Sequence, residues 1–316
     1  MLSTELVKLT ALMERTSGSP EIKIGLIDGP VLTRHPHLAA QHLRQIAGNN
    51  GAACTQINSV ACQHGTFIAG ILSAKRNSSA PAICPGCTLL IRPIFSEVTA
   101  GREHMPSATP QELAVAIREC IEAGARIINL SLALAQPSTK GEQALEEVLE
   151  LALRHGVLII AAAGNQGTLG TSPITRHPWV TPVVACDLHA RPINESNLGN
   201  SIGTRGLSAP GDGITSLGSG GQSLTLGGTS VAVPFVTGAI ALLWSEFPST
   251  TAAQIKLALM RQPQNFRGGS ALATTQMPIK WAGTHVLRRP SVVPPLLNAE
   301  TAYQILLAAN ARRSIA

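Results

Sequence analysis

"IKIGLID", residues 22 to 28, is a short apolar run that ends in an acid, the pattern of a buried strand with Asp28 at its C-terminal edge. Similar runs follow at "TLLIRPIF" (88–95), "ARIINLSL" (125–132), "GVLIIAAAG" (156–164) and "VTPVVACD" (180–187). Helical patterns with definite ends lie between them. "TPQELAVAIRECIEAGA" starts with Thr109 as N-cap, Pro110 at the first helical position and Glu112 closing a capping box, and stops at Gly124. "STKGEQALEEVLELALRHG" likewise runs to Gly156. Strands alternating with helices of this length imply parallel βαβ units, so the fold class is α/β, with a mostly parallel central sheet and helices on both faces. In such sheets functional groups collect at the C-terminal ends of the strands, where Asp28, Ser131 and Gly164-Asn165 fall.

The composition suits that architecture. Of 316 residues, 44% are hydrophobic but only 3% are aromatic and 13% charged, so the core is built mainly from Ala, Val, Ile and Leu. The first twenty residues have no basic start, continuous apolar stretch or small-residue cleavage site, and are expected to form a short surface helix. "VAVPFVTGAIALLW" stops at Ser245 and contains Pro234, so it is too short to span a bilayer. The expected location is the cytoplasm.

From 191 to 226 the chain is rich in Gly, Ser, Asn and Thr, which suggests short strands and turns before a long helix at Thr229 and a shorter one in "TTAAQIKLALM". After Gln262, prolines and glycines break any periodicity until "NAETAYQILLAANARR". The expected division is an N-terminal extension over 1–20, a main domain over 21–262 and a C-terminal segment over 263–316 with a terminal helix. From Lys256 onward there are eight Lys or Arg against one acid, Glu300, whereas the preceding body holds 16 basic and 17 acidic residues; the net charge of +6 therefore resides in this end. A basic end can hold an acidic peptide or a nucleic acid, but no aromatic interleaving or nucleic-acid motif accompanies it, and a solvated linker explains it equally well.

The six cysteines are Cys54, Cys62, Cys84, Cys87, Cys120 and Cys186. In a cytoplasmic protein of this size free thiols are expected, with a local Cys54–Cys62 or Cys84–Cys87 disulfide as the alternative. "CPGC" (84–87) resembles half of a redox or metal motif, but zinc needs two more ligands at matching spacing and none is found, so no metal is expected. No calcium loop is recognisable either.

Three positions form a chemical constellation: Asp28 in "LIDGPV", His64 in "QHGTFIAGIL" and Ser230 in "GGTSVAVPF". An alcohol is a weak nucleophile and needs an imidazole to take its proton; the imidazole in turn needs a carboxylate to fix its tautomer and stabilise its cation. Singly, each has a plainer role, since Ser before a helix usually caps it, Asp after a strand turns the chain, and a lone His is usually structural. Ser230, at the head of its helix, could cap, attack, or do both.

Together these segments resemble the subtilisin-like serine peptidases, whose triad runs in the order Asp, His, Ser. "DGPV", "HGTFIAGI" and "GTSVAVPFVTGAIALL" match the family's three motifs, and the similarity extends from about Glu21 to Met260. The resemblance implies a three-layer sandwich and a catalytic set of Asp28, His64 and Ser230. It also makes Asn165 of "AAAGN" the side-chain donor to the oxyanion, beside the Ser230 N–H. Through "NLSLA" and the same alanine run it implies a substrate pocket walled by Ser131, Leu132, Ala133, Ala162, Ala163 and Gly164, with an extended peptide adding as a strand. Two departures stand out. The serine helix reads Val231, Ala232, Val233, Pro234, Phe235 where the family usually has Met, Ala, Ser, Pro, His, and Pro30 stiffens the turn after Asp28 while removing one N–H donor.

"IDGPV", "CPGCTLLIRPIF" and the short stretch before the first strand resemble the peptidases that remove leader segments from ribosomally made peptides, in particular the cyanobactin-maturing group. That group also contains macrocyclases, which carry a lid-like insertion between the catalytic Asp and His. Only 35 residues separate Asp28 from His64, so hydrolysis of a precursor peptide is expected, with macrocyclisation or peptide binding without chemistry as alternatives. No cofactor, membrane or nucleic-acid partner is expected.

Overall fold

A computed structural model describes residues 2–46, 54–97, 108–132, 141–261 and 291–313. Seven strands form one sheet, in the order β2 (Leu43–Gln45), β3 (Thr88–Pro93), β1 (Lys23–Asp28), β4 (Ile127–Leu130), β5 (Leu158–Ala162), β6 (Thr181–Cys186) and β7 (Leu207–Pro210). Every neighbouring pair is parallel. A separate antiparallel hairpin joins β8 (Ile214–Leu217) to β9 (Ser223–Leu226).

Pleating decides which residues face which layer. Ile24 and Leu26 of β1, Ile127 of β4 and Ile160 of β5 pack with α3 (Val60–Ser73) and α7 (Thr229–Glu246). Ile27, Ile128, Leu130 and Ile159, one step out of phase, pack with α4 (Pro110–Glu122) and α5 (Glu142–His155). Strands buried on both faces require the continuous apolar runs seen in the sequence. The capping box at α4 forms as its residues dictate: Thr109 accepts from the Glu112 N–H, and Glu112 accepts from the Thr109 N–H.

At 18 residues α7 is long and apolar enough to cross a membrane, longer than the apolar run measured from the sequence. It is instead the core helix, with 83% of it buried inside the protein. α8 (Ala252–Met260) follows it.

Both ends of the chain are tied to this body. The N-terminal residues form two short helices, α1 (Ser3–Leu6) and α2 (Thr10–Arg15), and are more than a surface decoration, because Val7, Leu9 and Leu12 are fully buried. Although composition breaks near Gln262, residues 294–297 rejoin the sheet: Ser208 of β7 donates to the Pro295 carbonyl at 2.7 Å and accepts from the Leu297 N–H at 2.8 Å. α9 (Ala299–Arg313) then packs on α8 and α2, with the Tyr303 ring 5.1 Å from that of Phe247 and Arg15 stacked over Tyr303. Of the eight late basic residues, Arg267, Lys280, Arg288 and Arg289 lie outside the described residues. Lys256 is no tail charge: it is half-buried on α8, donates to the Pro178 and Trp179 carbonyls, and is pushed down to about 8 by its burial.

Cys54 and Cys62 form a disulfide, while Cys84, Cys87, Cys120 and Cys186 are free and buried. Free thiols thus hold for four of the six cysteines, and the bridge pins the loop before α3 to that helix's first turn.

Thiol titration of the unfolded protein is accordingly expected to find four reactive groups without reductant and six with it. Because Leu297 is fully buried against the sheet edge, Leu297→Ala is expected to cost the whole protein about 2–5 kcal/mol in chemical denaturation; an unchanged midpoint would show the C-terminal segment to be independent.

Candidate active site

β1 delivers Asp28 to the C-terminal edge of the sheet, fully buried. The chain leaving it passes so close to α3 that a Cβ on Gly29 would sit 2.0 Å from the Ala61 carbonyl oxygen, and one on Gly65 2.3 Å from that of Gly29. Two glycines therefore let the strand exit and the helix touch, which brings His64, in the second turn of α3, against Asp28.

His64 Nδ1 lies 2.7 Å from Asp28 Oδ1, and His64 Nε2 lies 3.1 Å from Ser230 Oγ. An ionised carboxylate only accepts, so Nδ1 carries the proton and Nε2 is left with a lone pair facing the Ser230 hydroxyl. Burial alone would lower the pKa of His64, but the charge and hydrogen bond of Asp28 outweigh it, and the imidazole titrates above its ordinary value. Asp28 Oδ1 also accepts from the Gly29 N–H at 2.6 Å. Its Oδ2 is buried with no partner among the described residues. Pro30, which has no N–H, occupies the next position in the turn, in keeping with the donor loss expected from the sequence.

Ser230 is partly exposed and does not cap its helix. The N-cap of α7 is Gly228, in a φ +117° conformation that L side chains rarely adopt, and it has no side chain of its own to cap the helix. Ser230 is the second helical residue, which places its N–H among the first-turn donors that have no carbonyl one turn back. Its hydroxyl is thereby free to face His64. The capping alternative is excluded by where the glycine turn ends.

Asn165 follows β5 on an exposed turn, and its orientation is fixed by donors. Asn165 Oδ1 accepts from the Thr229 N–H at 2.9 Å and the Thr229 hydroxyl at 2.8 Å. With its oxygen engaged by a backbone N–H, which can only donate, its Nδ2 points the opposite way and is available as a donor. Thr229 Oγ1 also accepts from the Gly164 N–H at 3.2 Å, and Asn197 holds the turn from outside by donating to the Ala163 carbonyl and accepting from the Gln166 and Thr168 N–H groups.

The positions expected to wall a pocket divide. Leu132 packs into the α4–α5 layer, Ala162 and Ala163 are buried beside the Asn165 turn, and Gly164 is held under Asn197. Ser131 does not present its hydroxyl to an open pocket: it is 2% exposed and donates to the Ser230 carbonyl at 2.8 Å. Ala133 lies outside the described residues. Asn197 and Asn129 carry hydrogen bonds of the site without having been singled out, and no local pattern distinguishes them from ordinary loop and strand residues.

The ligand atoms of Cys54, Cys62 and Glu97 lie within 4.8 Å of one another. The two sulfurs are bonded to each other, however, and Glu97 accepts from the Thr55 and Gln56 N–H groups, so this set is already engaged. Burial pushes the Cys120 and Cys186 thiols up to about 12, which keeps them protonated and poorly nucleophilic.

Asp28, His64 and Ser230 thus form a linear relay at the C-terminal edge of a parallel α/β sheet, the arrangement of a serine-nucleophile hydrolase. The chain belongs to the subtilase family, whose model matches residues 19–276. It is 27% identical over 257 residues to subtilisin E of Bacillus subtilis (strain 168), covering 79% of this chain and 62% of that protein, so it spans less than two thirds of that relative's length. Among solved structures it resembles the prenylagaramide maturation protease PagA (27% identity, TM-score 0.74, covering 94% of this chain and 98% of that one). It also resembles the patellamide maturation protease PatA (29% identity, TM-score 0.68, 92% and 98%).

Activity that depends on neutral His64 is expected to rise with pH through a midpoint above the usual imidazole value. Asp28→Asn removes the charge that raises it, so the midpoint should move down and kcat fall by about ten-thousand-fold; an unmoved midpoint in a pH–rate profile would separate His64 from the reaction.

Proposed function

We propose that this protein is a serine endopeptidase that processes a precursor peptide in the cytoplasm. The observation that carries the reading is the Asp28–His64–Ser230 relay, in which the hydroxyl faces a ring nitrogen whose tautomer is set by a buried carboxylate. Ser230 Oγ attacks the scissile carbonyl carbon while its proton passes to His64 Nε2. The oxyanion is held by Asn165 Nδ2 and the Ser230 N–H, at the positive end of α7. His64 then gives that proton to the leaving amine and the C–N bond breaks; water loses a proton to the same imidazole as it attacks the acyl carbon, and His64 returns that proton to Ser230 Oγ as the acyl–oxygen bond breaks and the acid leaves. Each step uses a group of this chain.

Selectivity for a precursor is supported by likeness to PagA and PatA, both described as maturation proteases, over more than nine tenths of each chain. Hydrolysis over ring closure is supported by the 35-residue interval between Asp28 and His64, which is short for a water-excluding lid.

A fluorophosphonate probe is expected to label the protein once, at Ser230, and Ser230→Ala to abolish both labelling and the cuts mapped by mass spectrometry in a peptide library. Asn165→Ala should lower kcat by about a hundred- to a thousand-fold, the worth of one such donor in subtilisin itself. An unlabelled parent would indicate peptide binding without chemistry, and cyclic products would indicate transamidation.

A further inference from the structure

Helix α7 contains Pro234, four residues after Ser230. In an α-helix the carbonyl of residue i accepts from the N–H of residue i+4, and proline has none, so the carbonyl of Ser230 loses its helical donor. That carbonyl belongs to the residue whose side chain and N–H must both be aimed accurately. The Ser131 hydroxyl supplies the missing bond from across the layer, at 2.8 Å.

Ser131 is itself held. Its oxygen accepts from Asn129 Nδ2 at 2.8 Å, and Asn129 Oδ1 accepts from the Thr237 hydroxyl at 2.9 Å. Asn129 and Ser131 lie two residues apart along one extended stretch and so share the face turned toward α7, whereas Ile128 and Leu130 face α4 and α5. The chain of donors thus leaves α7 at Thr237, crosses to the β4 stretch through Asn129 and Ser131, and returns to α7 at Ser230. Asn129 and Thr237 are fully buried, in a layer otherwise made of residues such as Ile127, Ile160, Val236 and Ile240. Polar groups are expensive in such a layer, and a chain whose donors all point one way strengthens each of its members.

We propose that Ser131, backed by Asn129 and Thr237, is a positioning residue that holds the Ser230 backbone where Pro234 has left it unsupported. The inference rests on the reading of Ser230 as nucleophile. Without the Ser131 hydroxyl, the Ser230 carbonyl must find another donor, and a shift of the Ser230 backbone toward one carries Oγ away from His64 Nε2 and the N–H away from the oxyanion. Small displacements of this kind are costly to rate. Ser131 touches neither His64 nor Asp28 through any of these bonds, so the protonation behaviour of the base is left alone.

The test uses the full chain with Ser131→Ala, Thr237→Val and Thr237→Ser, read by the rate of inactivation by a fluorophosphonate and by kcat, KM and the pH–rate profile for p-nitrophenyl acetate. Ser131→Ala is expected to slow inactivation and kcat by about tenfold, with KM and the pH midpoint unchanged. Thr237→Val should slow both by about threefold and Thr237→Ser should restore them, a pair that decides the matter even if Ser131→Ala does not fold. Loss confined to KM would make Ser131 a pocket wall, and parental rates with only a lowered melting temperature would make the chain structural; either result overturns the proposal. A parent enzyme that neither reacts with the probe nor hydrolyses the ester would instead overturn the reading of Ser230.

Discussion

Burial of α7 against the parallel sheet governs this protein. Eighteen residues of helix run through the interior with 83% of them enclosed, so the polar groups along its buried length need partners within the protein. Its N-terminus emerges where β4 and β5 end, and that is where the hydroxyl of Ser230 is presented. The same burial obliges donors and acceptors near the helix to find partners in the protein. Thr237, Asn129, Ser131, Thr229 and Asn165 are the side chains that meet that obligation.

Around that helix the site is assembled by close backbone approach more than by large side chains. Gly29 and Gly65 let the exit of β1 touch α3, and the Cys54–Cys62 bridge holds the loop before α3 to the turn that precedes His64. Gly228 turns the chain so that Ser230 enters the first helical turn with its hydroxyl uncommitted to capping. Asp28 Oδ2 has no partner among the described residues, and the turn beside it carries a proline that has no N–H to give. The carboxylate's orienting role is thus carried by Oδ1 alone, shared between Gly29 and His64.

The apolar runs and the capped helix at Thr109 were legible because they depend on local chemistry and on periodicity: β1, β3, β4, β5 and β6 appear within a few residues of where the pattern places them. The juxtaposition of Asp28, His64 and Ser230 was legible because their three motifs each carry a recognisable neighbourhood of small residues. β2 and β7 were not: β2 is only three residues long, and β7, with Ser208 and Pro210 among its four residues, shows no continuous apolar run. The burial of Val7, Leu9 and Leu12 was missed because helices of four and six residues show little periodicity and Val7 and Leu9 lie between them, and the return of Leu297 to the sheet because its partner, Ser208, is 89 residues distant.

By itself, the sequence determined the α/β class with its mostly parallel sheet, and it marked Asp28, His64, Ser230 and Asn165 as candidates, because these follow from pattern, end signals and motif order. Only the tertiary structure decided what Ser131 does. A hydroxyl two residues from an asparagine carries no mark of whether it faces a substrate or the back of a helix. The answer depended on a missing proton at Pro234, more than one hundred residues away, and on the packing that brought an unserved carbonyl within 2.8 Å.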